Sequence, residues 1–169
     1  ALDDPDPLLS LYRETFGKRS EGKRSQKGKK GEKGKSLPPH LSYDFSWGKI
    51  YVGLSAKGNR YVTFSVAGPE DIWAHAKEVP GAHVIVKPFG KEMPPGVIEI
   101  ACSLAAFYSK AKNGSHVPVD YTNRKHVRHI PGGGPAFVRY EEYSTLIAEP
   151  SAAMKMLEDA LSDQEEEES

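Results

Sequence analysis

Side chains suited to acid–base chemistry, metal binding or ring stacking are concentrated in one short stretch of the chain. Asp71, Trp73 and His75 occur at every second position, and His83 and Lys87 follow within twelve residues of His75. A carboxylate can hold an imidazole in one tautomer and raise its basicity, whereas an exposed indole ring can stack on a nucleic-acid base. This set of residues is therefore compatible with a catalytic site, a metal site or an RNA-binding site.

A β-hairpin would bring these side chains together. Polar and apolar residues alternate over residues 71–76, a second strand pattern covers residues 82–87, and Pro80-Gly81 marks the turn between them. We expect a hairpin that is symmetric about Val79, with the site residues on one face of the strands. The expected cross-strand pairs are Asp71 with Lys87, Trp73 with Ile85 and His75 with His83.

A catalytic or metal site built on Asp71, His75 and His83 has little further support. Metal sites need three or four ligands, and no third histidine has a fixed spacing to this pair. Cys102 lies in an apolar helical stretch that is typical of a core, and no nucleophile motif surrounds the serines. We predict a non-enzymatic protein without catalytic residues, metal, cofactor or small-molecule substrate. A small enzyme or metal protein that uses the three residues remains the alternative.

The charge of the 169-residue chain is balanced overall but unevenly distributed. Residues 18–35 carry nine basic and two acidic side chains, whereas residues 151–169 carry seven acidic side chains and one lysine. No apolar run reaches the roughly 18 residues of a membrane span, and no signal peptide opens the chain. The single cysteine excludes an internal disulfide and fits a reducing compartment. We expect a cytoplasmic protein with no membrane partner.

Composition divides the chain into four segments. Residues 1–16 show a short helical pattern, and residues 17–36 are a basic flexible linker, because they have too little apolar surface to fold. The linker is either a solubilising tether or an electrostatic arm for phosphates. Residues 37–162 form the folded domain, and residues 163–169 are a disordered acidic tail.

Strand patterns dominate the folded domain. We predict a first hairpin from residues 47–54 and 59–66, followed by the central hairpin and by a long helix over residues 96–112. Four short strands over residues 116–121, 125–130, 136–140 and 143–148 and a last helix over residues 151–161 complete the domain. The predicted fold class is α+β, with a single mixed or largely antiparallel sheet, one long covering helix and a C-terminal helix.

Residue types elsewhere in the domain favour RNA binding. Phosphates attract Lys and Arg, unpaired bases stack on aromatic rings, and imidazoles can do either. The predicted RNA-binding residues are Lys57, Asn59, Arg60, Asp71, Trp73, His75, His83, Lys87, Lys125 and Arg128. A competing structural explanation for the central set is that these side chains bond to one another inside the sheet and never contact a ligand.

Two sequence blocks are distinctive, GPEDIWAH at residues 68–75 and PGAHVI at residues 80–85. Together they resemble the NFACT-R domain, the C-terminal RNA-binding module of NFACT proteins. The resemblance covers roughly residues 43–150, and further matching segments are YVG at 51–53, Asn59, ACSLAAFYS at 101–109, VPVDYT at 117–122 and KHVR at 125–128.

The resemblance implies an RNA-binding module of ribosome-associated quality control. Its partners would be tRNA and the large ribosomal subunit, with tRNA recruited for C-terminal tailing of stalled nascent chains. The chain departs from the family in two places: Leu54-Ser55-Ala56 stands where an Arg-Asn-Asn-like turn is usual, and Ala82 stands where Ser is usual. Bacterial members are often labelled fibronectin-binding protein A, so a fibronectin-binding surface protein is a further alternative.

Overall fold

A six-stranded antiparallel sheet forms the centre of the computed structural model, which describes residues 36–168 except residues 91, 133, 135 and 136. The strands are β1 (His40–Phe45), β2 (Gly48–Gly53), β3 (Ile72–Ala76), β4 (Val84–Pro88), β5 (Val117–Asn123), β6 (Val127–His129), β7 (Val138–Tyr140) and β8 (Ser144–Ala148). The sheet has the order β1-β2-β4-β3-β5-β8, and every neighbouring pair is antiparallel. β6 and β7 form a separate two-stranded antiparallel ribbon.

Helices lie on both sides of this sheet. The α-helices are α1 (Ala56–Arg60), α2 (Val97–Phe107) and α3 (Ala153–Glu168). A π-helical segment, Tyr61–Val66, continues directly from α1, and short 3-10 turns precede β6 at Arg124–His126 and α3 at Pro150–Ala152. The predicted α+β class, with a mainly antiparallel sheet, a long helix and a C-terminal helix, is confirmed.

The main core lies between one face of the sheet and the helices α2 and α3. Ala74 and Ala76 of β3 are fully buried there with Ala101 and Ala105 of α2. Because these side chains are small, the helix can approach the strand closely, and the larger Leu104 fills the space beside them. Burial of this apolar surface is the principal source of stability for the domain.

A second, smaller core lies on the opposite face of the sheet. Trp73 of β3 and Ile85 of β4 are fully buried there against Val62 and Val127. Val62 belongs to the π-helical segment and Val127 to the β6–β7 ribbon. Two segments cover this face, and we call their described residues within 56–66 and 124–140 the covering layer.

The predicted strand over residues 59–66 is wrong, because these residues are helical. β2 already pairs with β1 on one side and β4 on the other, so no edge of β2 remains for a further partner. Ser55 caps α1 by accepting a 2.8 Å hydrogen bond from the backbone N–H of Gly58. The β-branched Val62 and Thr63 are buried side chains of a packed helical segment rather than strand residues.

The predicted long helix ends five residues early, at Phe107. The Ser109 hydroxyl donates to the Ala106 carbonyl at 2.7 Å and accepts from the Ala111 N–H at 3.0 Å, which turns the chain out of the helix. Ser109 also forms a β-bridge with Gly81, where an added Cβ would lie 2.7 Å from the Ser109 Cβ. The turn therefore requires glycine at position 81.

The remaining boundaries differ by a few residues from the sequence pattern. The strand predicted over residues 125–130 begins only at Val127, because a 3-10 turn precedes it. α3 continues to Glu168, over most of the segment that the composition predicts to be disordered. The predicted helical segment 1–16 and almost all of the predicted linker lie outside the described residues. None of the described helices is both long enough and apolar enough to cross a bilayer.

Candidate nucleic-acid interface

The central hairpin has the register that the sequence predicts. Trp73 lies opposite Ile85 in the β3–β4 pair. The Lys87 ammonium donates to the Asp71 carboxylate at 3.0 Å, and the same carboxylate oxygen accepts the Gly68 N–H at 2.7 Å. Asp71 is 9% exposed and engaged by these donors, so it holds the entry to β3 in place.

The aromatic and imidazole rings of the hairpin form a closed cluster. Trp73 lies nearly parallel to His75 with 5.8 Å between ring centroids, and His83 meets both rings edge-on at 5.3 Å. Trp73 is 0% and His83 2% exposed, because the covering layer lies over them. The proximity of these side chains agrees with the sequence. The burial of Trp73 and His83 favours the structural explanation over a direct RNA contact, whereas His75 is only partly buried.

Burial governs the protonation of the two imidazoles. It lowers the pKa of His83 well below the ordinary value, and the neighbouring His75 lowers it further. The pKa of His75 is also lowered by burial, against the opposing effects of backbone hydrogen bonds and of Asp120. Both rings are therefore neutral at pH 7, which makes them poor partners for phosphate charges.

Asn59 connects α1 to the central hairpin. Its side-chain oxygen accepts the His83 N–H at 2.9 Å, and its side-chain nitrogen donates to the Gly81 carbonyl at 3.1 Å. Thr63, one turn later, meets the His83 Nδ1 at 2.8 Å. Asn59 is 3% exposed, so this predicted RNA-binding residue is a buried structural contact.

A buried carboxylate that sequence reasoning missed lies beside the ring cluster. Asp120 of β5 is 0% exposed and lies in register with His75. It receives hydrogen bonds from Lys77 (3.2 Å), Tyr140 (2.6 Å) and Thr145 (2.7 Å). A lone carboxylate inside an otherwise apolar strand pattern was the signal that could have identified it.

Neither the metal nor the nucleophile alternative gains support from the geometry. Within the described part of the chain, no group of three or more His, Cys, Asp or Glu side chains could hold a metal ion. Cys102 is buried in α2, and burial raises the pKa of its thiol to about 12. A thiol with that pKa is not ionised at pH 7 and is a poor nucleophile.

Charge is sharply segregated between the two sides of the sheet. The two segments of the covering layer contain six Lys and Arg residues and no Asp or Glu, namely Lys57, Arg60, Arg124, Lys125, Arg128 and Arg139. Among the residues of α2 and α3 whose side chains the structure describes, on the opposite side, four are acidic and one is a lysine. The covering layer is therefore the side of the domain that attracts a polyanion.

The cations of the covering layer fall into two groups. Lys57, Arg60, Arg128 and Arg139 are exposed, and none pairs with a carboxylate among the residues that the structure describes. The other two are engaged: Lys125 pairs with Glu70 at 3.2 Å, and Arg124 donates to the Thr63 carbonyl at 2.8 Å. The structure thus separates the predicted residues into an exposed cationic set and a buried set around Trp73.

Comparisons with known proteins agree on the family. The profile of the NFACT protein RNA binding domain matches residues 47–137. The chain is 39% identical to the Rqc2 homolog RqcH of Bacillus subtilis over 130 residues, covering 76% of this chain and 22% of that protein. It is 35% identical to the Rqc2 homolog RqcH of Streptococcus pneumoniae over 132 residues, covering 76% and 23%.

A solved structure supports the same assignment at the level of the fold. The C-terminal part of the fibronectin/fibrinogen-binding protein from Streptococcus suis superposes with a TM-score of 0.65 at 24% identity, covering 85% of this chain and 62% of that one. At this identity the likeness concerns the fold alone, and the chain spans less than a quarter of the curated relatives just described. With the profile match across more than half of its length, the chain belongs to the family of NFACT protein RNA binding domains.

Proposed function

We propose that the chain is a non-catalytic RNA-binding module of ribosome-associated quality control, and that it contacts RNA through its covering layer. The observation that carries this proposal is the segregation of charge, with six cations and no acids in the two segments of the covering layer and mostly acids in the helices on the other side of the sheet. An RNA backbone approaching the covering layer displaces counterions, whereas the helical side repels it.

The buried rings lie between the sheet and the covering layer and hold the covering layer in position. Trp73, His83 and Asn59 hold α1 and the π-helical segment against the sheet, and the Tyr140–Asp120 bond holds the ribbon. The residues that contact RNA directly are then the exposed cations Lys57, Arg60 and Arg128 together with Lys125. Lys87 is half-buried in its pair with Asp71 and contributes to the architecture.

The kind of RNA is inferred from the family. The relatives are Rqc2 homologs, and the NFACT-R resemblance implies tRNA and the large ribosomal subunit as partners, with tRNA recruited for C-terminal tailing of stalled chains. Such a role places the protein in the cytoplasm. A sheet with one polar, basic covering layer can bind either RNA, so the two must be compared directly.

The test is to titrate the chain with tRNA and with large ribosomal subunits across a salt series. We expect the logarithm of the affinity to fall linearly with the logarithm of the salt concentration. The variant Lys57→Gln/Arg60→Gln should bind more weakly, whereas Lys110→Gln/Lys155→Gln, which removes the same charge from exposed lysines outside the covering layer, should bind as the wild type does. Salt-independent binding, or equal losses in both variants, contradicts the proposed interface.

A further inference from the structure

Two arginines lie directly opposite each other on the β6–β7 ribbon, and we propose that they form, with Phe137, a binding site for unpaired RNA nucleotides. This inference rests on the proposed RNA-binding function. It identifies the part of the covering layer that makes the specific contact and the class of RNA that fits there.

The ribbon has an inner and an outer face. Val127 and Tyr140 are opposite each other and point inward, where the Tyr140 ring lies 4.7 Å from that of Trp73. Arg128 and Arg139 form the next pair and are exposed, so alternation places both guanidinium groups on the outer face. Phe137, two residues before Arg139, shares this outer face and is 58% exposed.

The arginine pair is unfavourable for the isolated protein. Opposite residues of an antiparallel pair have Cβ atoms roughly 4.5–5.5 Å apart, and like charges at that distance repel. No carboxylate among the described residues neutralises either guanidinium. The contacts that anchor the ribbon to the sheet are made by its inner face, through Val127 and Tyr140. A phosphate between the two groups would remove the repulsion and accept hydrogen bonds from both.

The backbone around Phe137 is held in place before any ligand binds. The Phe137 carbonyl accepts the Ile130 N–H at 2.9 Å, and the Phe137 N–H donates to the Gly134 carbonyl at 3.2 Å. The same Gly134 carbonyl accepts a 3.0 Å hydrogen bond from His129 Nε2. An exposed phenyl ring on a fixed backbone loses little conformational entropy when a base stacks on it.

The combination favours unpaired nucleotides over duplex RNA. In an RNA duplex both faces of each base are covered by its neighbours, and the major groove is too deep and narrow for side chains to read. In a loop, bulge or end, a base can stack on Phe137 while its phosphate lies against Arg128 and Arg139. The site therefore binds single-stranded RNA that has an unstacked base.

The experiment compares variants on two RNA probes, a 12-nucleotide oligouridine and a 12-base-pair blunt duplex, by fluorescence anisotropy. We expect the wild type to prefer the single strand. Phe137→Leu should weaken single-strand binding by about 5- to 150-fold, as for removal of a stacking ring, and should affect duplex binding little. Arg128→Gln/Arg139→Gln should reduce the single-strand salt slope by about 0.7, since the two arginines together neutralise one phosphate.

Matched controls separate the ribbon site from general RNA binding. Phe89→Leu changes another exposed phenyl ring, 54% exposed and outside the covering layer, and should leave binding unchanged. Thermal melting of each variant should match the wild type, because the changed side chains are exposed. If the wild type binds neither these probes nor tRNA nor large ribosomal subunits, the proposed function itself is wrong. If it binds RNA and the ribbon variants bind equally well, or if it prefers the duplex, only the ribbon site is wrong.

Discussion

The Tyr140 hydroxyl donates a 2.6 Å hydrogen bond to the Asp120 carboxylate and so joins the β6–β7 ribbon to the six-stranded sheet. Asp120 is a fully buried charge, and such a charge is tolerated only when hydrogen bonds and a counter-charge replace water. Lys77 and Thr145 supply the other donors. Burial and the bond to Asp120 both raise the pKa of Tyr140, so the phenol keeps the proton that makes this bond.

Replacing Tyr140 with Phe tests whether this bond holds the ribbon in place. The change removes one donor to a buried carboxylate, so the free energy of unfolding should fall by about 1.5–3 kcal/mol, the range for hydrogen bonds to charged groups. Urea unfolding measures the decrease. Tyr143→Phe is the matched control, because that ring is 44% exposed, and it should cost much less. Equal stability of the Tyr140 variant and the wild type would mean that Asp120 does not depend on this bond.

Replacing Trp73 tests its role as a core residue. Since Trp73 is fully buried between the sheet and the covering layer, Trp73→Ala should lower the free energy of unfolding by about 3–5 kcal/mol. Trp73→Phe should be milder, partly because the Nε1 group has no hydrogen-bond partner among the described residues. RNA affinity of folded Trp73→Phe should equal that of the wild type in an anisotropy titration. A large decrease in affinity with unchanged stability would instead identify Trp73 as an RNA-binding residue.

The local pattern was sufficient to predict the central hairpin. Period-two alternation and the Pro80-Gly81 turn fixed the register, and the Asp71–Lys87 pair confirms it. The same alternation was also present in β1, where Leu41, Tyr43 and Phe45 occupy every second position, although this strand was not predicted. Alternation therefore specifies which side chains share a face, over distances of a few residues.

The pattern could not predict that both faces of the sheet are covered. Trp73 is buried by Val62 and Val127, and the latter lies more than fifty residues away along the chain. His83 is buried against Thr63, which is twenty residues away. A contact between residues so far apart cannot be predicted from a short stretch of sequence. The polar residues Asp71 and His75 beside Trp73 therefore suggested that this face of the hairpin is exposed. The composition of residues 59–66 was misleading for the same reason, because β-branched residues suit any tightly packed site and not only strands.

Removing residues 17–36 tests the electrostatic-arm hypothesis. This segment contains nine basic residues, so its deletion should weaken binding to tRNA and flatten the salt slope by about 0.7 to 0.9 for each phosphate that the chain no longer neutralises. A neutral Gly-Ser segment of equal length is the control for tethering alone, and it should behave like the deletion. An unchanged salt slope after both changes would favour a solubilising tether.

Lowering the pH should destabilise the domain through the buried His83 and the partly buried His75. The pKa of His83 is lower in the folded chain than in the unfolded chain, so between these two values the unfolded state binds more protons. Stability then rises with pH and is fully present above the unfolded pKa of about 6.5. The free energy of unfolding should fall as the pH drops below that value, by up to about 1.4 kcal/mol per pH unit for each such histidine.

Urea unfolding between pH 5 and 8 measures how steeply the free energy of unfolding changes with pH. His83→Gln should flatten this dependence, whereas His116→Gln, which changes an exposed imidazole, should leave it unchanged. Equal slopes in the wild type and His83→Gln would mean that this ring is protonated within the folded protein.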